Sequence, residues 1–124
     1  MIQIVLIDDE YIDNVTHQRC IEEFDGACVV STFTDAMDAT HWFEEKERNV
    51  DLILLDINMP GMNGFEFLTR HRQLPLLKQA KNIIVMLGAS LREEQFETLK
   101  TLDAHWQEKP MTLSALASWQ ARLY

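Results

Sequence analysis

The sequence predicts a doubly wound α/β domain, with five strands alternating with five helices in a parallel sheet covered on both faces. Three observations predict it. Short apolar runs, bounded by acidic or turn-forming residues, recur along the chain and suit strands buried on both faces. Segments with helical spacing of apolar residues stand between them. The joints are short, and no long linker, repeat or low-complexity stretch interrupts the alternation.

Residues 2–7 form a β-branched and aliphatic run that stops at Asp8-Asp9-Glu10. Ile12, Thr16, Cys20 and Phe24 then recur at helical spacing, with Ile21 beside them, until Asp25-Gly26 ends the helix. Residues 27–33 read as the second strand. Thr34-Asp35 offers an N-cap for a helix reaching about residue 46, with Trp42 and Phe43 on its inner side. Residues 51–55 read as a third buried strand, broken by the turn formers of Asn58-Met59-Pro60-Gly61. A third helix is expected over 65–72, an irregular stretch at Pro75 and a fourth strand over 82–87. Ser90-Leu91-Arg92-Glu93 matches a capping box, which places the fourth helix at about 91–102. A fifth strand over 104–107 leads into Lys109-Pro110, and Thr112 caps a last helix carrying Leu113, Leu116, Ala117 and Leu123.

A length of 124 residues suits one domain with one core. Apolar residues at 47% and charged residues at 25% are ordinary for a folded soluble protein. A net charge of −9 argues against a nucleic-acid partner, which clustered Lys and Arg would bind. No apolar run approaches the roughly 20 residues that span a bilayer, so no membrane partner is expected. The apolar start lacks the basic leader and small-residue cleavage site of a signal peptide. Cys20 and Cys28 have no CxxC spacing and read as reduced thiols, so the expected location is cytoplasmic.

In open α/β sheets ligands bind beyond the carboxyl ends of the strands, where strand order reverses. With the order 2-1-3-4-5 that crevice lies between the first and third strands. Asp8 and Asp9 follow the first strand and Asp56 the third, so three carboxylates converge there. Like charges at such range need neutralising. An oxygen-seeking divalent cation such as Mg2+ does this with one or two carboxylates, waters and a phosphate. Lys109, after the fifth strand, can reach over the same crevice as a mobile point charge. Any one of these acids alone would read as a solvated strand end or a helix cap; the four residues together are a rarer coincidence.

These residues resemble the receiver domain of two-component response regulators, the CheY-like family with its flavodoxin-type fold. The resemblance rests on Leu6-Ile7-Asp8-Asp9-Glu10, on Leu54-Leu55-Asp56-Ile57-Asn58-Met59-Pro60-Gly61-Met62-Asn63-Gly64, on Ile83-Ile84-Val85-Met86-Leu87 and on Lys109-Pro110. It covers essentially the whole chain, 1–124, with no output domain, and so looks like the stand-alone receivers. It implies that Asp56 is the nucleophile that takes a phosphoryl group from the phosphohistidine of a kinase or phosphotransfer protein. It implies that Asp9 ligates Mg2+ directly and Asp8 through water, that the Asn58 backbone carbonyl and Asp56 complete the site, and that Lys109 pairs with the phosphoryl oxygens. The Lys109-Pro110 bond is expected to be cis, as is usual in the family. A downstream protein would dock on the face of the fourth helix, fifth strand and fifth helix.

The pattern breaks at one place. The family carries Thr or Ser at the end of the fourth strand, where this chain has Gly88 in Leu87-Gly88-Ala89-Ser90. Glycine brings no hydroxyl to the phosphoryl group, which leaves the Ala89 N–H as a donor and Ser90 as a substitute hydroxyl shared with the capping box. Trp106 stands where the family has an aromatic switch residue; two readings compete for it, a partly buried packing residue and a side chain that fills the volume Gly88 frees.

His17, His41, His71 and His105 show no zinc spacing and read as exposed or packing residues. The run from Glu44 to Arg48 reads as a solvated helix end. Three functions compete: a phosphoacceptor switch, not a turnover enzyme beyond its own phosphorylation and dephosphorylation; a phosphorylation-independent docking module, favoured by Gly88; and a phosphohydrolase. The last would need a general-acid Asp two residues after Asp56, where Asn58 stands.

Overall fold

The computed structural model describes residues 2–123. Its elements are β1 (Gln3–Ile7), α1 (Tyr11–Phe24), β2 (Val29–Phe33), α2 (Ala36–Glu45), β3 (Leu52–Asp56), α3 (Gly64–His71), β4 (Asn82–Leu87), α4 (Glu93–Thr101), β5 (His105–Glu108) and α5 (Leu113–Leu123). A short 3-10 turn, Leu76–Lys78, precedes β4. The five strands pair in parallel in the order β2-β1-β3-β4-β5, as the sequence predicts.

The period of two along each strand divides the core into two layers. Val5, Ile7, Ile53, Leu55, Ile83 and Val85 face one way and pack on Phe43, Phe67 and Leu99 from α2, α3 and α4. Ile4, Leu6, Leu52, Leu54, Ile84 and Met86 face the other way and pack on Ile21, Leu116 and Trp119 from α1 and α5. Because β1, β3 and β4 are covered on both sides, nearly every residue in them is apolar.

Three expectations need correction. On α1 the buried residues are Asn14, His17 and Ile21, while Ile12 is 74% exposed and Thr16 also faces out. The inner stripe is turned toward β1 because Asn14 Nδ2 donates to the carbonyls of both Asp8 and Phe33. The fourth helix begins at Glu93 with Arg92 as N-cap, not at Ser90. There the Gln95 side chain accepts the Arg92 N–H at 2.8 Å, so a glutamine three residues after Arg92 decides the start, and Ser90 stays exposed in the loop. Arg48 is not wholly solvated: its guanidinium lies 4.0 Å from the centre of the Trp42 ring and Nε donates to the Trp42 carbonyl.

Two glycines hold the end of β3 in place. Gly61 has φ +76, in the left-handed region that glycine enters without strain. At Gly64 a Cβ would stand 2.7 Å from the Asp56 carbonyl oxygen and 2.9 Å from Ile57 Cα. The first turn of α3 can therefore rest directly on the strand end, sealed by the Gly64 N–H donating to the Ile57 carbonyl at 2.9 Å.

Candidate functional site

The site is built on the carboxyl ends of β1, β3 and β5. Asp8 follows β1, and its N–H donates to the Phe33 carbonyl at 3.0 Å, one step beyond the β1–β2 ladder. Its Oδ1 accepts the Glu10 N–H at 2.9 Å, which orients the carboxylate inward. Asp56 is the last residue of β3, still paired with Met86 of β4, one position beyond the last β1–β3 pair, Ile7 with Leu55. Lys109 follows β5, with its N–H on the Leu87 carbonyl at 2.8 Å and a cis bond to Pro110.

Carboxylate oxygens from Asp8, Asp9 and Asp56 lie within 4.8 Å of one another. Asp8 is 3% and Asp56 7% exposed, so water screens them poorly. One ammonium reaches the cluster: Lys109 Nζ lies 2.7 Å from Asp8, 2.8 Å from Asp13 and 3.3 Å from Asp56. Burial, followed by the negative charge of Asp8, pushes the Asp56 carboxyl up to about 6 against the pull of Lys109. Burial alone would lower the Lys109 pKa, but hydrogen bonds to Asp13 and Asp8 and the charge of Asp56 outweigh it and raise it. The hydrogen bond from Lys109 holds Asp13 below the usual carboxylate range. A set of hard oxygen donors carrying more negative charge than its lysine offsets fits a hard divalent cation.

The structure thus gathers Asp8, Asp9, Asp56 and Lys109 at one point. Asn58 lies two residues past β3 on the exposed loop to α3. Gly88, Ala89 and Ser90 line, with Leu87, Glu108 and Lys109, an open cavity of ≈ 310 Å³ beside the cluster. Trp106 does not fill the space at Gly88. A Cβ built there would meet only Lys109 Cδ, at 4.0 Å, whereas the Trp106 ring lies half-buried against Phe96 with centroids 5.1 Å apart. Trp106 and Glu108 are both in β5, but Trp106 pairs with Val85, two positions before Leu87, and its side chain joins the α4 side of the core.

Sequence reasoning missed Asp13 and Asn14, while the packing reading of His17 agrees with its burial. Asp13 in the first turn of α1 reads from sequence as an acid favoured by the helix dipole. The available signal was position: α1 starts three residues after Asp8, so its first turns overhang the crevice. His17, one turn further, is 3% exposed. Burial lowers its pKa, partly countered by the charges of Asp13 and Asp8.

A parallel 2-1-3-4-5 sheet with an acidic trio at the β1/β3 switch point and a lysine after β5 defines a receiver-type α/β domain. The response regulator receiver domain family matches residues 4–118, and the chain belongs to it. Among curated relatives, it is 36% identical over 86 residues to the cyclic di-GMP phosphodiesterase response regulator RpfG of Xanthomonas campestris pv. campestris (strain 8004), covering 69% of this chain and 22% of that protein. It is 28% identical over 118 residues to the two-component response regulator 24 of Arabidopsis thaliana, covering 92% of this chain and 78% of that protein. The chain spans 22%, 40% and 23% of the lengths of three relatives that match it, so their further activities belong to those larger proteins. A two-component response regulator from Cytophaga hutchinsonii shares the fold with a TM-score of 0.83 at 23% identity, covering 98% of this chain and 95% of that one. The chemotaxis response regulator CheY4 of Vibrio cholerae does so at 0.80 and 23% identity, covering 100% and 99%. Among the described residues no helix is long and apolar enough to cross a membrane.

Proposed function

We propose that this receiver domain is a phosphoacceptor switch in which Asp56 takes a phosphoryl group from the phosphohistidine of a kinase or phosphotransfer protein. The observation that carries the reading is the convergence of the Asp8, Asp9 and Asp56 oxygens within 4.8 Å, with Lys109 within 3.3 Å of Asp56. An Asp56 carboxylate oxygen attacks phosphorus, the P–N bond to the histidine breaks, and its electron pair leaves with the imidazole nitrogen, which takes up a proton. The product is an acyl phosphate, and water attacking phosphorus later returns the free carboxylate and inorganic phosphate. Such transfers ask for alignment and charge compensation more than for covalent work by the protein.

Each residue has a role that its surroundings support. Asp56 sits at a strand end still paired with Met86 of β4, which gives its carboxylate a fixed base. Lys109 carries its charge on a flexible four-carbon stem and can move from Asp8 and Asp13 to the phosphoryl oxygens. Asp8, Asp9, Asp56 and the Asn58 carbonyl would hold Mg2+, which when bound offsets negative charge on the carboxylates and the transferring group. The pKa of Asp56 near 6 leaves the acceptor largely ionised at neutral pH, and a nearby cation favours that form further. Output would pass to a protein docked on α4, β5 and α5, where Phe96 and Trp106 pack together.

Gly88 favours one alternative, a docking module that does not respond to phosphate. Intact mass after incubation with Mg2+ and acetyl phosphate decides between them. The switch predicts one added phosphoryl group on the wild type, none on Asp56→Asn and none after chelation. An unlabelled wild type under conditions that label other receivers would favour the module.

A further inference from the structure

Lys109 lies closer to Asp8 and to Asp13 of α1 than to Asp56. Its ammonium lies 2.8 Å from Asp13 and 2.7 Å from Asp8, but 3.3 Å from Asp56. Asp13 has no part in the acidic trio, and α1 carries it to the rim of the crevice. Its side chain is 37% exposed and that of Lys109 18%, so the pair sits at the mouth of the site, half out of water.

We propose that Asp13 is a positioning residue that holds Lys109 against α1 in the unmodified protein, so that a phosphoryl group on Asp56 must win the ammonium from it. This rests on Asp56 being the acceptor and adds a restraint on how readily the acceptor is used. The lysine has three N–H donors, and the unmodified state directs two of them to Asp8 and Asp13 while Asp56 lies 3.3 Å away as an ion-pair partner. A phosphoryl group adds charge and acceptor oxygens on the Asp56 side, which compete with Asp13 for the ammonium. A contact made only in the unmodified state stabilises that state and sets back phosphorylation by its own strength. The same pairing places the change of charge on α1: when the lysine leaves, the Asp13 carboxylate is released beside the exposed side chains of Tyr11 and Ile12.

Asp13 also adds negative charge near an anionic donor, so contact and charge must be separated. Glu10 serves as the control, being an exposed acid at the same edge whose side chain makes no ion pair with Lys109 among the described residues. Two readouts are taken on the full chain: labelling of the Lys109 amine by brief acetic anhydride treatment, with Lys100 as internal reference, and the initial rate of Asp56 phosphorylation by acetyl phosphate with Mg2+. Asp13→Asn is expected to raise both by roughly two- to fivefold. Asp13→Glu, which keeps charge and reach, should stay near the wild type, and Glu10→Gln should change neither readout. Unchanged Lys109 labelling in Asp13→Asn, or an equal gain in phosphorylation from Glu10→Gln, overturns the restraint while leaving the acceptor in place. A wild type that takes up no phosphoryl group overturns both.

Discussion

At the amino edge of the sheet, His71 and Arg72 at the end of α3 make their hydrogen bonds to neutral groups; at the carboxyl edge, three carboxylates meet one lysine and a fourth, Asp9, joins their cluster. His71 is 2% exposed, lies between Phe43 and Phe67, and accepts the Ala80 N–H on Nε2 at 3.0 Å. Arg72 spreads its donors over the carbonyls of Leu102 and Asp103 and the side-chain oxygen of Gln79, tying the end of α4 to the turn before β4. Each group there has a partner that matches it, and the cluster asks for nothing from outside. At the other edge Asp8, Asp9, Asp13 and Asp56 outnumber Lys109, and burial together with the charge of Asp8 pushes the Asp56 carboxyl up to about 6. Both ends bury polar groups. The difference is that one closes its own balance and the other leaves it open, which is the mark of a site that binds something.

The two edges should therefore respond to pH in opposite directions. Burial, reinforced by the positive charge of Arg72, lowers the His71 pKa to about 4 from an ordinary 6.5. A depressed folded-state pKa gives stability that is present above 6.5 and lost as pH falls through 4. That loss amounts to about 3 kcal/mol if the whole interval is traversed. Urea unfolding of wild type and His71→Leu between pH 7 and 4 tests it. The variant should begin less stable, because the Ala80 N–H loses its acceptor, but should show a shallower acid decline. An equally steep decline would mean that His71 does not govern the amino edge.

The carboxyl edge is fixed by sterics as firmly as the amino edge, and Gly64→Ala should show this. The added methyl meets the Asp56 carbonyl oxygen and Ile57 Cα inside 3.0 Å, both backbone atoms. A loss of about 2 kcal/mol is expected, in the range of overpacked sites. A change below about 0.5 kcal/mol would show that α3 shifts freely and that the strand end is not held rigid.

The same edge is also tested through its charge. Asp56 titrates at about 6 in the folded chain against 3.8 when free, so its favourable contribution is present below 3.8 and lost as pH rises through 6. Asp56→Asn, neutral throughout, escapes that loss. In chelator its stability relative to the wild type should rise by about 3 kcal/mol between pH 3.5 and pH 8 if the whole interval is traversed. A relative stability that does not rise over that range would mean that the ion pair with Lys109 outweighs the repulsion from Asp8.

Most of the fold was legible because buried parallel strands leave unmistakable runs, as in residues 52–55 and 83–87. The acids at the strand ends were legible because topology alone sends Asp8 and Asp56 to one crevice. What failed had no local signature. The rotation of α1 is set by Asn14 reaching the Asp8 and Phe33 carbonyls, a contact with β2 across 19 positions. The Asp13–Lys109 pair spans 96 positions, and nothing near Asp13 announces it. The start of α4 turned on a choice between two capping arrangements two residues apart, which only the Gln95 geometry decides.

The smallest expected effect concerns Gly88, which shares the carboxyl edge with Gly64 but is packed differently. A glycine can be demanded by its backbone or merely permitted by its surroundings. Gly64 is demanded, since its Cβ has no room. Gly88 is not: its φ lies outside the left-handed range, and a Cβ would rest at 4.0 Å from Lys109 Cδ, an ordinary contact. The cavity next to it holds space for a larger side chain. Gly88→Thr should therefore change stability by no more than about 0.5 kcal/mol, measured as the urea midpoint. If the phosphorylated protein then keeps its label for a different time than the wild type, the hydroxyl has entered the chemistry without disturbing the fold. A destabilisation beyond about 1.5 kcal/mol would show instead that the space beside Lys109 closes in solution and that Gly88 is as constrained as Gly64.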